Sequence, residues 1–575
     1  MSIIRWKGIK GVAVRKPTLT DGLIGAAFLI GLGVRLAGLG QLSFNDVEAG
    51  WALQALHLAQ GAKLVGAQAG TVLWSGSLFS LLGSGNFLAR FFPAMIGSLV
   101  VLAPLFFKDL LGKRASILLA FGLAIDPLLV GTARQVDGLS MAIAFLGLSI
   151  GFYYRRAAIP LGVCLALFFL SGPAAWLGLL IVSVTVLAWR LISGRNGFQL
   201  EHSEPSIQLD WRRGLFGFAA SLFVAGTLFL LVPTGLSGLF NGLATFWKGW
   251  GSKQISDTPI MIVAAVISYS LLPFLLGLIG MIVGAVRRCK LDLFLVTWTL
   301  ISLAILLIYP AFQVRDLVWL VLPLWILAVR LVNNLIEIQR KFPAYLLAFV
   351  TIVMGTFILI NLSSLAGAGL APNNIILRWV AVGIGILIIL LTAFLVSWGW
   401  SNNDSISGLA MGGTVILIIL TLTGMFRAGG FNGKSNLELI SQSAAFIDQD
   451  LVVKTIGDVS EWKTGQRDAL DVVSVDIHSA ALEWTLRNFY HYESVSSLPI
   501  DENPSVILLP VSQDLQQKEL YTGQEFTLRE VPQWKALSGQ GWLTWLMRRE
   551  VPVESDTAIL WVRSDLFPGA SKIAP

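Results

Sequence analysis

Long apolar segments constrain this chain more strongly than any other feature of its sequence. Of the 575 residues, 55% are hydrophobic and 13% are charged, and the mean hydropathy is +0.74, which lies far from the composition of soluble globular domains. Segments of about 20 apolar residues are long enough to cross a bilayer as helices. We predict 13 such spans, at 21–40, 88–107, 114–132, 138–154, 157–172, 173–190, 214–233, 260–286, 291–309, 317–335, 343–363, 376–399 and 408–428. The sequence therefore predicts a polytopic α-helical membrane protein.

Lys and Arg residues cluster in the short connections on one side of this predicted bundle. With the basic N-terminus placed in the cytoplasm, the basic connections all fall on the cytoplasmic side, as the positive-inside rule requires. They are 108–114, 155–156, 190–213, 287–290 and 336–342. The net charge of +7 is explained by this topology and does not indicate a nucleic-acid partner. An odd number of spans places the C-terminal part of the chain outside, and we expect a plasma-membrane location.

Residues 430–575 differ in character from the rest of the chain, because charges become frequent and apolar runs become short. The patterns predict a strand at 471–477, a helix at 479–490 and a buried strand at 504–510. We therefore divide the chain into a membrane domain, 1–429, and an extracytoplasmic α/β domain, 430–575. Near its end three tryptophans are predicted to pack this domain rather than to rest it on the bilayer surface; they are Trp534, Trp542 and Trp545.

Two acids open the extracytoplasmic connection 41–87, directly after the first span. Asp46 and Glu48 follow Asn45 near the membrane surface, where an ionisable side chain is more often functional than incidental. From Glu48 onward, apolar residues keep helical spacing and His57 falls on the polar face, which predicts an amphipathic helix along the interface. The alternative for Asp46 is structural, because an Asp near a helix start caps free backbone N–H groups.

Further ionisable residues fall on the same side of the predicted bundle. A carboxylate can activate a hydroxyl as a general base, and arginine binds phosphate groups with directed hydrogen bonds. Such a set suits glycosyl transfer from a lipid phosphate, with Arg134 or Arg315 stabilising the departing phosphate. The alternative for any single arginine is snorkelling to head groups or pairing with a neighbouring acid. The set comprises Arg90, Arg134, Asp137, Arg315 and Asp316.

Motifs for other kinds of chemistry do not occur in this sequence. It has no Walker loop, no HExxH, no paired CxxC and no Gly-x-Ser-x-Gly elbow. Of the four histidines, only His57 lies close to the two acids in the sequence. It lies nine residues after Glu48 on the predicted helix, a spacing that does not align the two side chains as ligands of one metal ion. We expect no required cofactor and no metal; a divalent ion held by the carboxylates is the alternative.

Three stretches carry a resemblance to a known family. They are FNDVEAGWALQAL (44–56), SLFSLLGSGNFLARFFPAMIGSLVVLAPLFF (77–107) and GLAIDPLLVGTARQVDGLSMAIAFLGL (122–148). Together they resemble the N-terminal half of GT-C glycosyltransferases, especially prokaryotic members of the protein O-mannosyltransferase-like and aminoarabinose-transferase-like branch. The resemblance is clear over roughly residues 20–155.

The resemblance implies transfer of a sugar from a polyprenyl-phosphate donor, with inversion, on the extracytoplasmic face. The acceptor would be a protein, a lipid or a glycan. In the family an acidic motif, usually adjacent Asp-Glu, supplies the catalytic base. Here Val47 separates the two acids, so either matches, and we favour Asp46 as the base with Glu48 in support. The resemblance places Arg90 at the family's arginine before the second span. It places Arg134 and Asp137 in the turn that joins the third and fourth spans.

Two other functions remain open from the sequence. A transporter or flippase for the same lipids would show repeats, broken helices and charges near the bilayer midplane; Asp126-Pro127 late in the third predicted span is one candidate break. An inactive GT-C-like scaffold, whose outer domain recruits partners, is the other.

Overall fold

The computed structural model describes residues 18–63, 66–193, 209–252, 259–336, 341–367, 372–433, 437–441, 443–498, 503–515 and 518–567. Parts of the predicted topology fall outside these ranges: the basic N-terminus before Thr18, residues 194–208 and residues 337–340.

In the described ranges up to Ala428, the regular elements are helices, apart from an isolated β-bridge between Asn45 and Ala445. A 3-10 segment, Leu99–Phe107, continues α4. In chain order the helices are α1 (Leu19–Leu36), α2 (Asp46–Ala59), α3 (Ala69–Leu82), α4 (Asn86–Ser98), α5 (Lys108–Leu111), α6 (Lys113–Ile125), α7 (Pro127–Ala133), α8 (Leu139–Tyr154), α9 (Ala158–Leu170), α10 (Pro173–Ser193), α11 (Trp211–Gly226), α12 (Ser237–Trp250), α13 (Pro259–Tyr269), α14 (Leu271–Arg287), α15 (Lys290–Ile308), α16 (Val318–Ile336), α17 (Phe342–Leu365), α18 (Pro372–Gly399) and α19 (Asn402–Ala428).

Eight helices in the described ranges are long and apolar enough to cross a bilayer, and the bent pairs α6–α7 and α13–α14 raise this number to ten. The eight are α1, α4 with its 3-10 extension, α10 and α15 to α19. The chain is therefore a multi-pass membrane protein. The other predicted spans coincide with α8, α9 and α11, which are shorter helices of 16, 13 and 16 residues. The count of 13 spans and the orientation of the termini stay predictions.

The break between α6 and α7 occurs at Asp126 and Pro127, where the helix axis bends by 51°. The Asp126 carboxylate accepts the N–H of Leu129 (2.9 Å) and the indole N–H of Trp325 (2.7 Å). Arg35 of α1 donates to the carbonyl oxygens of Leu123 and Ala124, both at 3.1 Å, which the break leaves without helical partners. Buried side chains thus satisfy both sides of the break.

The C-terminal part folds around a five-stranded mixed sheet. The strands are β1 (Asp471–Val475), β2 (His491–Val495), β3 (Val506–Pro510), β4 (Tyr521–Pro532) and β5 (Val553–Arg563), in the order β2-β1-β3-β5-β4. β1 runs parallel to β2 and β3, and β5 runs antiparallel to β3 and β4. The helices are α20 (Gln449–Thr464), α21 (Ala480–Leu486) and α22 (Gly539–Arg548). An α/β domain is present as predicted, although α21 ends earlier than the predicted helix 479–490. We call residues 430–575 the outer domain, after the location that the sequence predicts for them.

The three tryptophans form one cluster, with ring centroids 5.6 to 6.1 Å apart. Trp545 is fully buried, and its ring meets that of Tyr269 in α13 at 6.4 Å. Trp542 and Trp545 belong to the same apolar core as the membrane helices. The tryptophans are therefore packed, but the core that they join is that of the membrane helices and not that of the C-terminal sheet. They seat α22 on the membrane domain.

A buried ion pair strengthens the same contact. Arg549, at the end of α22, donates from Nε to Glu438 at 2.7 Å, and both side chains are at most 2% exposed. Tyr269 donates its hydroxyl proton to the second Glu438 oxygen at 2.5 Å. Arg549 also donates to Ser268. This cluster, which we call the Arg549 clamp, joins the outer domain, the segment after α19 and the bend between α13 and α14.

Removal of the Glu438 charge tests the Arg549 clamp. Glu438→Gln leaves Arg549 buried without its counter-charge, which costs about 3–5 kcal/mol in comparable pairs. We therefore expect a marked fall in the thermal unfolding temperature of the detergent-solubilised protein. The control is Asp565→Asn, which breaks the more exposed pair with Arg563 and should cost at most about 1 kcal/mol. Equal unfolding temperatures for the two variants would contradict a stabilising clamp.

Candidate active site between the membrane and outer domains

The two acids of the predicted motif begin α2. Asn45 caps this helix, because its side-chain oxygen accepts the N–H of Glu48 at 2.9 Å. Asp46 is the first helical residue and its carboxylate points elsewhere, so the alternative that Asp46 caps α2 is wrong. Since positions two apart lie on different helix faces, the two acids bind different partners.

Glu48 binds within the membrane domain and is 3% exposed. Arg90 of α4 donates to both of its oxygens, from Nε at 3.1 Å and from Nη2 at 2.9 Å. The backbone N–H of Val136 donates at 2.8 Å, and the Asn45 amide donates at 3.3 Å. Arg90 in turn donates to the carbonyl oxygen of Leu42 at 2.7 Å. Both Glu48 oxygens are therefore occupied by donors of the protein itself.

Asp46 binds the outer domain. Its Oδ1 accepts the hydroxyl of Ser479 at 2.6 Å and the N–H of Ala481 at 3.0 Å, and its Oδ2 accepts Nη1 of Arg529 at 2.7 Å. Arg529 also binds Asp556, with 2.6 Å between Nη2 and Oδ2. Burial lowers the pKa of Arg529, but its hydrogen bonds to Asp556 and the charge of Asp46 outweigh this effect and leave the pKa above its ordinary value. The Asp46 side chain remains 25% exposed.

Two further candidate residues, Arg134 and Asp137, lie in the turn between α7 and α8. Arg134 donates to the backbone oxygens of Ala37 (2.6 Å) and Gly429 (2.7 Å) and so ties the end of α1 to the end of α19. Its guanidinium lies 4.3 Å from the ring centroid of Phe431. Burial, with the charge of Arg90, lowers the pKa of Arg134 to about 10, which leaves it charged at neutral pH. Arg134 is thus held entirely by protein groups.

Asp137 lies in the same turn and forms the third acid–arginine pair of this site, after those of Glu48 and Asp46. Its Oδ1 accepts the Gln68 amide at 2.6 Å, and its Oδ2 accepts Nη1 of Arg315 at 2.7 Å. The Gln68 oxygen accepts the N–H of Gly138 at 3.1 Å. The Arg315 side chain is 17% exposed, and its buried Nε has no hydrogen-bond partner among the described residues. Arg315 therefore keeps donor capacity that these contacts do not use.

The other predicted residues play different parts. Asp316 accepts the N–H of Gln313 at 3.0 Å and shapes the 3-10 turn Val314–Leu317, which carries Arg315. His57 is exposed in the last turn of α2. Within the described ranges, no hydrogen bond or ion pair joins the His57 side chain to either acid of the motif.

A small cavity separates the Glu48–Arg90 pair from Arg134. It has a volume of about 30 Å³ and is also lined by Gly429 and Ser441. That volume accommodates about two water molecules, and a sugar phosphate requires the lining elements to move apart. In the part of the chain that the structure describes, no group of three His, Cys, Asp or Glu side chains is placed to hold a metal ion.

Sequence reasoning missed three residues at this site: Gln68, Ser479 and Arg529. Ser479 and Arg529 lie 433 and 483 positions from Asp46, and nothing near them in the sequence signals the contact. Gln68 stands in a polar segment before α3, so a local pattern could have suggested a surface loop but not a bond to Asp137.

Comparisons with known proteins show the fold. The sequence matches no protein-family model and no curated protein. The structure is similar to a crystal structure of ArnT from Cupriavidus metallidurans bound to undecaprenyl phosphate, with a TM-score of 0.58, 14% identity and coverage of 95% of this chain and 98% of that chain. The apo form of the same protein gives a TM-score of 0.56 and 13% identity over 96% of this chain and 100% of that chain. ArnT is a GT-C protein, so the likeness confirms a GT-C-like fold along nearly the whole chain.

Proposed function

We propose that the protein is an integral-membrane glycosyltransferase that moves a sugar from a polyprenyl-phosphate donor to a protein, lipid or glycan acceptor on the extracytoplasmic face, with inversion. The sugar would be mannose or another hexose or pentose. One observation carries the proposal: the fold matches, along nearly its whole length, that of an ArnT whose crystal structure contains undecaprenyl phosphate. The acid–arginine set between the two domains supplies suitable chemistry.

The contacts of the two acids support Asp46 as the base. Glu48 is 3% exposed and accepts four hydrogen bonds from protein groups, so an acceptor could reach it only after the Arg90 pair had broken. Asp46 lies at the rim of the interface and is 25% exposed. The hydrogen bonds that hold Asp46 all come from the outer domain, so a shift of that domain alone would free its carboxylate. We assign Glu48 the supporting role of fixing α2 against α4.

The proposed reaction balances within donor and acceptor. Asp46 takes the proton of the acceptor hydroxyl, and the oxygen forms a bond to the anomeric carbon of the sugar. The bond between that carbon and the phosphate oxygen breaks, and polyprenyl phosphate leaves with the electron pair. Attack from the face opposite the leaving group inverts the anomeric configuration. The donor already carries an activated sugar, so the proposal includes no cofactor.

Among the three candidate arginines, Arg315 is best placed to bind the donor phosphate. Arg90 and Arg134 are at most 2% exposed and donate to carboxylate or carbonyl oxygens of the protein. Arg315 is more exposed, and its Nε–H, although buried, has no hydrogen-bond partner among the residues that the structure describes. Charge-assisted hydrogen bonds to phosphate are among the strong ones. We therefore assign phosphate contact to Arg315 and structural support of the site to the other two.

A flippase for the same lipids is the second candidate function. The bent pairs α6–α7 and α13–α14, with angles of 51° and 97°, favour it, because broken helices occur at transporter sites. A flippase moves the intact lipid and releases no polyprenyl phosphate. The assay of that product therefore separates the two functions, and an inactive scaffold would give neither activity.

Substitution of each acid tests the assignment of the base. Loss of a general base typically lowers the rate by about 10²- to 10⁴-fold, so Asp46→Asn should lower kcat by at least about 100-fold while the protein keeps its unfolding temperature. Glu48→Gln should instead lower that temperature, because Arg90 loses its buried partner. The measurement is release of polyprenyl phosphate from a panel of polyprenyl-phosphate sugars, alongside thermal unfolding.

The matched control for these variants is Asp458→Asn, which removes a partly exposed acid that pairs with Arg467 in the outer domain and should leave both readouts unchanged. Full activity of Asp46→Asn would contradict its role as base. Absence of product from the wild-type protein with every donor would contradict the transferase itself.

Substitution of Arg315 tests the phosphate contact. Hydrogen bonds to charged groups contribute about 1.5–3 kcal/mol, so Arg315→Gln should raise the KM for the donor by at least about tenfold. Arg315→Lys keeps the charge and should recover part of the affinity. Arg467→Gln, an exposed arginine of the outer domain, serves as the control. An unchanged donor KM in Arg315→Gln would exclude a phosphate contact.

A further inference from the structure

The contact between Asp46 and Ser479 has the geometry of a base and its substrate. A hydroxyl proton donor lies 2.6 Å from the Asp46 carboxylate, within the range of about 2.6–3.2 Å that a general base needs. The hydroxyl belongs to the outer domain and not to a substrate. The first residue of the membrane-domain motif thus binds a hydroxyl supplied by a distant part of the same chain.

Helix capping explains the hydrogen bond that the Ser479 oxygen accepts, but not the one that its hydroxyl donates. Ser479 is the N-cap of α21, and its oxygen accepts the N–H of Leu482 at 3.3 Å. A cap needs the oxygen as acceptor and leaves the hydroxyl proton free. Ser479 directs that proton to Asp46, across the boundary between the domains. Ser538, the N-cap of α22, accepts the N–H of Gly541 at 3.2 Å in the same way, so the two serines form a natural comparison.

Solvent reaches this contact. The Asp46 side chain is 25% exposed and that of Arg529 is 31% exposed, whereas Glu48 and Arg90 beside them are buried. A molecule arriving from outside can therefore meet Asp46 at the junction of α2 and α21. It can bind the carboxylate there only if it replaces a donor that is already present.

We propose that Ser479 occupies the acceptor position, so that the acceptor is a hydroxyl compound and competes with Ser479 for Oδ1 of Asp46. This inference rests on the proposed transferase function and adds to it the place of the acceptor hydroxyl and the side chain that competes with it. Arg529 holds the other carboxylate oxygen and orients Asp46 as a positioning residue. In the absence of acceptor the Ser479 hydroxyl occupies Oδ1 of Asp46, so that water must displace this hydroxyl before Oδ1 can take its proton, which limits hydrolysis of the donor.

Replacement of the Ser479 hydroxyl tests the competition. The protein is placed in lipid nanodiscs with the polyprenyl-phosphate sugar that the wild type turns over best, and with water or octyl glucoside as acceptor. A hydrogen bond from a hydroxyl to a carboxylate is worth roughly tenfold in binding. We expect Ser479→Ala to lower the KM for octyl glucoside about tenfold and to raise donor hydrolysis about tenfold. Ser479→Thr keeps the hydroxyl and should match the wild type.

Two further variants separate competition from capping. Ser479→Gly removes the hydroxyl, and Gly is an acceptable N-cap, so it should behave like Ser479→Ala even if alanine weakens α21. Ser538→Ala removes a cap from the same domain and should change neither KM nor hydrolysis.

Each other outcome overturns the inference in a distinct way. A lower kcat with unchanged KM in Ser479→Ala and Ser479→Gly would make Ser479 a positioning residue only. Unchanged kinetics in both would show that it does not compete. A sugar found on Ser479 by mass spectrometry would make this serine the acceptor itself. Absence of turnover by the wild type with every donor would remove the transferase function and this inference together.

Discussion

The burial of the Glu48 carboxylate is the constraint on which the junction depends. An ion removed from water costs several kcal/mol unless hydrogen bonds and an opposite charge compensate it. Glu48 obtains them from Arg90 in α4, from the backbone of Val136 and from Asn45. The donors come from three separate segments of the chain. Because no segment can leave without exposing the charge to an apolar surrounding, the start of α2, the start of α4 and the turn after α7 keep one arrangement.

The same helix start links the membrane domain to the outer domain. Two residues from Glu48, Asp46 points in another direction and binds Ser479 and Arg529. A second attachment, the Arg549 clamp, lies elsewhere in the outer domain, and its ion pair between Arg549 and Glu438 is buried. Exposed ion pairs are weak and buried ones are costly to break. The two attachments therefore differ in strength, and the weaker one carries the proposed base.

The sequence predicts the elements better than it predicts their contacts. Membrane helices are recognisable because each shows its length and apolar character locally. The starts of α1 and α6 and the end of α19 lie within two residues of the predicted span limits, whereas the third predicted span runs on past the end of α6 at the break. The GT-C likeness, noted from motifs in the first 155 residues, is confirmed along nearly the whole fold. Arg90, Arg134 and Arg315 were recognisable as charges at span ends. Their partners were not, because whether an arginine meets a carboxylate or a backbone carbonyl depends on packing between segments that lie far apart in the chain.

The distinction between the two acids shows the same limit. One intervening residue indicates that Asp46 and Glu48 face different ways, but which face meets α4 and which meets α21 follows only from the docking of the outer domain. The favoured role of Asp46 as base stays a prediction, as does the placement of the C-terminal domain outside the cell. The short helices α8, α9 and α11 show why the number of spans is harder to predict than their existence, because none of the three has the length of a full crossing.

Arg35 makes the biogenesis of this protein depend on the order in which its helices appear. The arginine is fully buried in α1, and its partners, the carbonyl oxygens of Leu123 and Ala124, follow 88 and 89 residues later in the chain. Synthesis at about 5–20 residues per second separates them by roughly 5 to 20 s. During that interval α1 carries, in its last turn, a charge whose insertion is unfavourable, although by less than the roughly 2.5–3.5 kcal/mol that applies at the centre of a helix. We therefore expect α1 to remain beside the insertion machinery until the third predicted span emerges and its carbonyl oxygens bind Arg35.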